Sequence, residues 1–211
     1  MQRHKSDSGT PRLVFLENAW ARMMAYISSC PIEINGLGTV AVHAGQIVVT
    51  NVFILDQNAG PGHAEIDDQA LARFNDRYIR QGGNIGDFRF QWHSHVKGPA
   101  FFSSEDEATI DRWAGDWLVS LVGNHYGEYQ CRLDVRSGGV NYPLRVSVPM
   151  RPVILLGRDL HMEAEVAEGI IRHVRTDKVR WGFGRQRGVA TGSVADLFVP
   201  PEGLLTQEEG Q

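Results

Sequence analysis

Cysteines and long apolar runs are scarce in this sequence. Only two of its 211 residues are cysteines, Cys30 and Cys131, which excludes a disulfide framework for a chain of this length, and we expect both thiols to be reduced and buried. No apolar run approaches the roughly 18 residues needed to cross a bilayer, and the polar residues 1–12 hold no secretory signal. The sequence therefore predicts a cytoplasmic protein without a membrane-spanning segment.

A surplus of positive charge is also missing. Lys and Arg number 21 against 25 Asp and Glu, which gives a net charge of −4. General binding to nucleic acid needs a cationic surface that neutralises phosphates, so a nucleic-acid partner is not expected. Residues 172–187 are a local exception, with six basic residues around Asp177. A solvated helix end is the favoured interpretation of this segment, and docking of an acidic partner or RNA is the alternative.

The order of helical and strand-like periods indicates a mixed fold. Hydrophobic residues make up 42% and charged residues 22%, as in domains with a buried core. Apolar periodicity predicts helices over residues 15–29, 67–80, 103–117 and 160–175, and strands over residues 34–43, 46–55, 87–95, 118–124, 129–136 and 144–148. Several connections are too short for crossovers. We therefore predict an α/β (α+β mixed) fold class, in which helices flank a central, mostly antiparallel sheet.

One folded domain with appendages is the predicted organisation. Residues 1–12 and 201–211 have the polar composition of flexible ends. The domain is predicted to span residues 13–150, with residues 58–62 as a surface loop because of their Gly and Pro content. Residues 151–200 are predicted to form a C-terminal extension, a helix plus a basic aromatic segment, packed on that domain.

Two histidines at the end of a predicted strand carry the strongest chemical signal. Side chains at positions i and i+2 of a strand share a face, so His93 and His95 present two imidazoles side by side. Imidazole suits zinc, and an open catalytic site needs one further protein ligand and a free position. Asp106 can supply that ligand from the first turn of the predicted third helix if the intervening segment folds back.

Two serines indicate that the segment between His95 and Asp106 folds back toward the histidines. Either Ser103 or Ser104 can cap the new helix, and Ser104 with Glu107 matches a capping box. Each feature also has an ordinary explanation, since first-turn acids and capping serines are common at helix starts. The joint pattern with the histidine pair is much rarer, and we interpret it as a metal site.

A hydrolytic metal site also needs a base that is not a ligand, to take a proton from the attacking water. Glu33 is the candidate, because it stands at the entry to a strand whose continuation is lean in bulky side chains, and an unpaired buried carboxylate is costly in such an otherwise apolar stretch. A surface ion pair is the ordinary alternative. Three further acids are rivals that the residues alone do not separate: Glu17, Glu65 and Asp87.

These residues resemble the signature of the JAMM (MPN+) metalloproteases. That signature is a glutamate in an E-x-x-G segment, followed downstream by H-[S/T]-H-x7-S-x2-D. This sequence reads Glu33-Ile34-Asn35-Gly36 and later His93-Ser94-His95, seven residues, Ser103, two residues and Asp106. The resemblance extends over roughly residues 13–136, since the order of predicted elements also matches.

The resemblance implies an architecture, a set of roles and a substrate class. The fold implied is the JAMM/MPN architecture, which is similar to that of cytidine deaminases. Zn²⁺ would be held by His93, His95 and Asp106, with Glu33 as general acid and base and Ser103 binding the oxyanion. The implied activity is that of a deubiquitinase-like isopeptidase, which hydrolyses an amide or isopeptide bond at the C-terminus of a ubiquitin-like protein. A small sulfur-carrier protein is the alternative substrate.

Two departures from the family pattern indicate which branch of the family the sequence resembles and bear on the loop after His95. Val96 stands where the family usually has proline after the second histidine, which puts the shape of the next loop in question. The turn at residues 126–128 is too short for the second insertion of relatives that cleave polyubiquitin, which favours the compact prokaryotic branch. The alternative function is a catalytically silent scaffold or protein-interaction module on the same fold. The intact set of ligand residues disfavours this alternative, because scaffolding alone does not require metal ligands.

Overall fold

The computed structural model describes residues 10–60, 62–113, 115–137, 144–155 and 162–176. Its strands are β1 (Arg12–Leu16), β2 (Asn35–His43), β3 (Gln46–Phe53), β4 (Gln57–Gly60), β5 (His63–Ile66), β6 (Phe88–Ser94), β7 (Trp117–Gly123), β8 (Tyr129–Ser137), β9 (Leu144–Pro149), β10 (Arg151–Leu155) and β11 (Val174–Thr176). Its α-helices are α1 (Glu17–Ser29), α2 (Asp68–Arg80), α3 (Ser104–Arg112) and α4 (Met162–His173).

Eight strands form the main sheet, in the order β10-β1-β3-β2-β6-β7-β8-β9. Four of its seven pairings are antiparallel, and the pairs β1–β10, β1–β3 and β6–β7 are parallel. A second sheet has the order β11-β4-β5. The predicted fold class, a mixed sheet flanked by helices, is confirmed.

Strand β6 separates the core from the functional face of the sheet. Its side chains alternate in burial, as expected for a strand with two different faces. Phe90 and Trp92 are buried in the main core, where Trp92 stacks on Tyr26 of α1 with ring centroids 5.7 Å apart. Gln91 and His93 point the opposite way and line a cleft. The alternation in β6 thus places His93 on the face that α1 does not cover, and His95 follows directly after the end of the strand.

Five of the described strands, β1, β4, β5, β10 and β11, were not predicted from the sequence, and β1 and β4 each pair with a strand far along the chain. Residues 12–16 form β1 instead of running into the predicted helix, since this apolar segment pairs in parallel with both β3 and β10. Residues 58–62 were predicted as a loop, but β4 and β5 form a hairpin around Gly62, and β4 also pairs with β11. No local pattern reveals such partners.

Two helices end earlier in the chain than predicted. Helix α3 ends at Arg112, because Trp117 already begins β7. Helix α4 ends at His173, where the chain turns into β11. Residues 177–187, most of the basic segment 172–187, fall outside the described residues.

The segment after residue 150 joins the main sheet. Strand β10 pairs along its whole length with β1, residue by residue from Arg12↔Arg151 to Leu16↔Leu155. The boundary between domain and extension at residue 150 stays a prediction. Among the described residues, none of the helices has the length and apolar character that a membrane crossing requires.

Candidate metal centre

The end of β6 places both histidines next to the start of β2. The antiparallel register pairs Asn35 with His93, so continuing it brings Glu33 opposite His95. Two hydrogen bonds extend this pairing beyond the strand: the Ser94 amide donates to the Ile34 carbonyl at 2.8 Å, and the Ile34 amide donates to Ser94 Oγ at 3.1 Å. Glu33 is thereby held beside the histidine pair.

The three residues predicted as metal ligands converge in the folded chain. One ligand atom from each of His93, His95 and Asp106 lies within 4.8 Å of the other two. His93 Nε2 is 3.1 Å from Asp106 Oδ1, and His95 Nε2 is 3.5 Å from Asp106 Oδ2. Their side chains are 16%, 12% and 19% exposed, respectively, so the cluster is largely shielded from solvent while one side opens to the cleft.

The imidazole orientations suit metal binding. His95 Nδ1 is 3.0 Å from the Pro99 carbonyl oxygen, a contact that assigns the proton to Nδ1 and leaves the lone pair of Nε2 facing Asp106. His93 Nε2 is buried and its one close polar neighbour among the described ligands is Asp106 Oδ1 at 3.1 Å, a contact that does not satisfy it as a hydrogen bond. A buried nitrogen without a partner is costly unless a ligand satisfies it. The donor set therefore fits a metal ion.

Asp106 is held by the start of α3. Ser103 is the N-cap: its hydroxyl accepts from the Asp106 amide at 3.2 Å, while Asp106 Oδ2 accepts from the Ser103 amide and hydroxyl, both at 2.7 Å. The capping box is thus Ser103 with Asp106, and the predicted box of Ser104 with Glu107 was wrong. Glu107 instead faces the sheet, where arginines bind it.

Electrostatics keep Asp106 in its ionised form. Burial alone would raise the pKa of this carboxyl group, but the contacts with His93, His95 and Ser103 outweigh burial and hold the pKa well below its usual range. The same contact with Asp106 raises the pKa of His95 above its ordinary value, against the opposing effect of burial. An ionised carboxylate is the form that binds a metal.

Glu33 has the environment expected of a proton carrier. It is half-buried, and burial raises its pKa above the ordinary value of a glutamate. His95 opposes this rise, whereas the carboxylates of Asp106 and Glu105 add to it. Of the rival acids, Glu65 lines the same cleft, but Glu17 and Asp87 do not.

A cleft of ≈ 940 Å³ leads away from the three converging side chains. Its floor follows β6 from Arg89 to His95, a distance of about 20 Å at the rise of an extended strand. Residues of β5, α2 and α3 also line it, together with Trp113. Two apolar side chains stand partly exposed along it, Ile85 at 43% and Phe101 at 47%. The shape suits an extended chain.

Asn124 was not singled out by the sequence, yet it ties the loop after the histidines to the next turn. It is 1% exposed, and its Nδ2 donates to the Gly98 carbonyl at 2.9 Å and to Glu128 Oε2 at 2.7 Å. Its Oδ1 accepts from the amides of Tyr126 and Glu128, both at 3.0 Å. The turn composition was visible in the sequence, but the bond across 26 residues to Gly98 was not.

Val96 explains why proline is absent after the second histidine. Its φ is 46°, in the left-handed region that β-branched residues rarely adopt. Proline is locked near φ −65° and cannot take this conformation. The loop from Val96 to Phe102 therefore has a shape that the usual family residue would not allow.

Neither cysteine belongs to the site. Cys30 and Cys131 are both free and buried, as predicted. Burial raises the pKa of the Cys30 thiol to about 11 and that of Cys131 further. Both are therefore protonated at neutral pH, which excludes a thiolate nucleophile.

Comparison with known families decides the assignment of the chain. The family described as prokaryotic homologs of the JAB domain matches residues 17–134, which is more than half of the chain. The chain belongs to this family. All five predicted site residues lie within the matched JAB domain, whereas β1 and the strands from β9 onward lie outside it.

A solved structure supports the fold. The solution structure of protein DSY2949 from Desulfitobacterium hafniense is similar to this chain with a TM-score of 0.50. The match has 18% sequence identity and covers 71% of this chain and 98% of that one. At this identity the likeness concerns the fold alone. No curated protein matches the chain.

Proposed function

We propose that this JAB-domain protein is a zinc-dependent hydrolase that cleaves an amide or isopeptide bond at the C-terminus of a ubiquitin-like or sulfur-carrier protein. One observation carries the proposal: His93, His95 and Asp106 bring their ligand atoms within 4.8 Å of one another on a cleft that also holds Glu33. A silent scaffold has no need for this convergence.

Zinc is the metal that suits these donors best. Two imidazoles and one carboxylate are a usual ligand set for catalytic zinc, with a fourth position left open. The partnerless Nε2 of His93 and the ionised Asp106 are in the forms that bind it. When bound, zinc would lower the pKa of the attacking water and polarise the carbonyl group of the substrate.

Glu33 would move the protons of the reaction. As a carboxylate it accepts a proton from the attacking water, and the resulting acid donates this proton to the leaving amine. Its raised pKa favours this exchange, because the protonated form is then less costly to reach. Its position opposite His95 in the strand register supports the same role.

The cleft supports a substrate with an extended tail. A floor of about 20 Å holds roughly six residues of extended chain. Within the described residues, strand β5 lies at the edge of its sheet and lines the cleft. A hydrogen bond from Asn35 Nδ2 to the Ala64 carbonyl, at 2.7 Å, joins β5 to the start of β2 beside Glu33. The flexible C-terminal tail of a small carrier protein has the length to lie along β5 and reach the site.

Incubation with candidate carriers tests this function. We expect the full chain with zinc to cleave a ubiquitin-like or sulfur-carrier protein fused through its C-terminus to a reporter, and mass spectrometry should place the cut directly after the carrier. Removal of zinc by a chelator should stop cleavage, and added zinc should restore it. Cleavage that persists without metal would contradict the proposal.

Replacing Ser103 with alanine separates two roles for this residue. The Ser103 hydroxyl donates its hydrogen bond to Asp106 Oδ2. The predicted binding of the oxyanion would therefore require this hydroxyl to rotate away from Asp106. We expect loss of the cap to cost about 1 kcal/mol of stability and zinc affinity to fall about tenfold, as measured by thermal unfolding and zinc titration.

The matched control is Ser104→Ala, because Ser104 is exposed and does not cap the helix. If Ser103→Ala keeps the full zinc affinity and lowers only kcat, the hydroxyl acts on the oxyanion and not through Asp106.

A further inference from the structure

Helix α3 carries Asp106 but has little apolar packing to hold it in place. It is nine residues long, and Ile110 is its one buried side chain. Helices this short are not stable by themselves in water. A ligand on such a helix needs another source of order if its carboxylate is to stay within a few tenths of an ångström of its place.

Three arginines of the neighbouring strands provide that order. We call Arg132, Arg136 and Arg145 the arginine clamp. Arg132 of β8 donates two hydrogen bonds to the Glu107 carboxylate, at 2.6 and 2.7 Å. Arg145 of β9 binds Glu107 as well and donates to Asp111 Oδ1 at 2.7 Å, while Arg136 donates to a main-chain carbonyl near the end of α3. The clamp therefore grips the helix at both ends.

Asp134, a buried carboxylate of β8, orients two arginines of the clamp. Asp134 is fully buried, and its Oδ2 accepts from Arg132 Nε at 2.9 Å, while its Oδ1 accepts from Ser147 and lies 3.7 Å from Arg145 Nε. Arg136 and Arg145 stand directly opposite each other in the strand register, which alone would be repulsive. The carboxylates of Asp134 and α3 offset this repulsion, so the guanidinium groups have fixed positions.

Arg132 contacts two residues that adjoin the predicted ligands Asp106 and His93. Glu107, which it binds through both oxygens, is the neighbour of Asp106 in the chain. Its guanidinium carbon also lies 4.2 Å from the centroid of the Phe102 ring, and that ring meets the His93 imidazole edge-on at 6.0 Å. Bidentate ion pairs and cation–π contacts both restrict geometry.

We propose that Arg132 is a positioning residue of the metal centre. Through Glu107 it fixes the first turn of α3, so that the Asp106 carboxylate faces the two histidines, and through Phe102 it supports the His93 ring. The inference rests on the metal site of the proposed function and is independent of the substrate.

Zinc and cobalt binding by two variants of the full chain test this role. Glu107→Gln removes the charge that Arg132 grips and leaves Arg132 paired with Asp134, so it has little effect on the core. Arg132→Lys keeps the charge beside Asp134 but loses the two-pronged grip. We expect zinc affinity, measured by competition with a chromophoric chelator, to fall about 10–100-fold in both. The visible absorption of the Co²⁺-loaded protein should change in the same variants.

Arg22→Gln is the control, because it removes another ion pair, Arg22 of α1 with Glu165 of α4 at 2.7 Å, and neither residue lines the cleft. It should leave zinc affinity and the cobalt spectrum unchanged. If Glu107→Gln and Arg132→Lys lower thermal stability but keep the zinc affinity and cobalt spectrum of the unsubstituted chain, the inference is overturned. If the unsubstituted chain binds no zinc, the proposed function itself fails and this inference fails with it.

Discussion

Replacing Glu33 with glutamine should remove most turnover and leave the metal in place. The substitution keeps the size and the polar character of the side chain but replaces one carboxylate oxygen with an NH2 group, which abolishes its ability to carry a proton. General acid–base catalysis contributes about 10²–10⁴-fold to a rate, so kcat should fall by that factor. Metal analysis should still find about one zinc per chain, because Glu33 is not among the converging ligands.

Glu65→Gln is the matched control for this experiment. Glu65 lines the same cleft, but it sits on β5 and not opposite His95 in the register of β2 and β6. We expect it to retain most of the activity. Should Glu33→Gln stay active while Glu65→Gln loses turnover, the base is Glu65 and the assignment of Glu33 is wrong.

Replacing His95 with alanine should remove both the metal and the activity. The substitution deletes one of three predicted protein ligands and leaves Asp106 Oδ2 without the imidazole that lies 3.5 Å away. Loss of a direct ligand should cost more than the roughly 10–100-fold in affinity that follows from disturbing an outer contact. Zinc titration and a cleavage assay on the same preparation measure the two effects together.

His43→Ala serves as the control, because His43 is an exposed histidine at the far end of β2. It should bind zinc and cleave substrate like the unsubstituted chain. A His95→Ala variant that still binds one zinc with unchanged affinity would show that His95 is not a ligand.

The sequence predicted those parts of the site that depend on local geometry. His93 and His95 were placed on one face of a strand by the period of two; in the structure His93 lies in β6, and His95 directly follows Ser94, the last residue of that strand. Asp106 was placed in the first turn of a helix by its spacing from a capping serine, and Ser103 is that cap. Both inferences need only a few consecutive residues and the geometry of one element.

Features that depend on distant partners were not visible in the sequence. Strands β1 and β4 each pair on one side with a strand from near the other end of the described chain, β10 and β11 respectively. The grip of Arg132 on Glu107 spans 25 residues, and the bond from Asn124 to Gly98 spans 26. Such contacts follow from the order of strands in the sheet, which periodicity does not determine.

The zinc content of the purified full chain tests the account most directly. If His93, His95 and Asp106 form a catalytic metal site, elemental analysis after dialysis should find about one zinc per chain, and Asp106→Ala should reduce it to background. A chain that is folded by circular dichroism yet holds no zinc, even after incubation with a stoichiometric supply, would contradict the account.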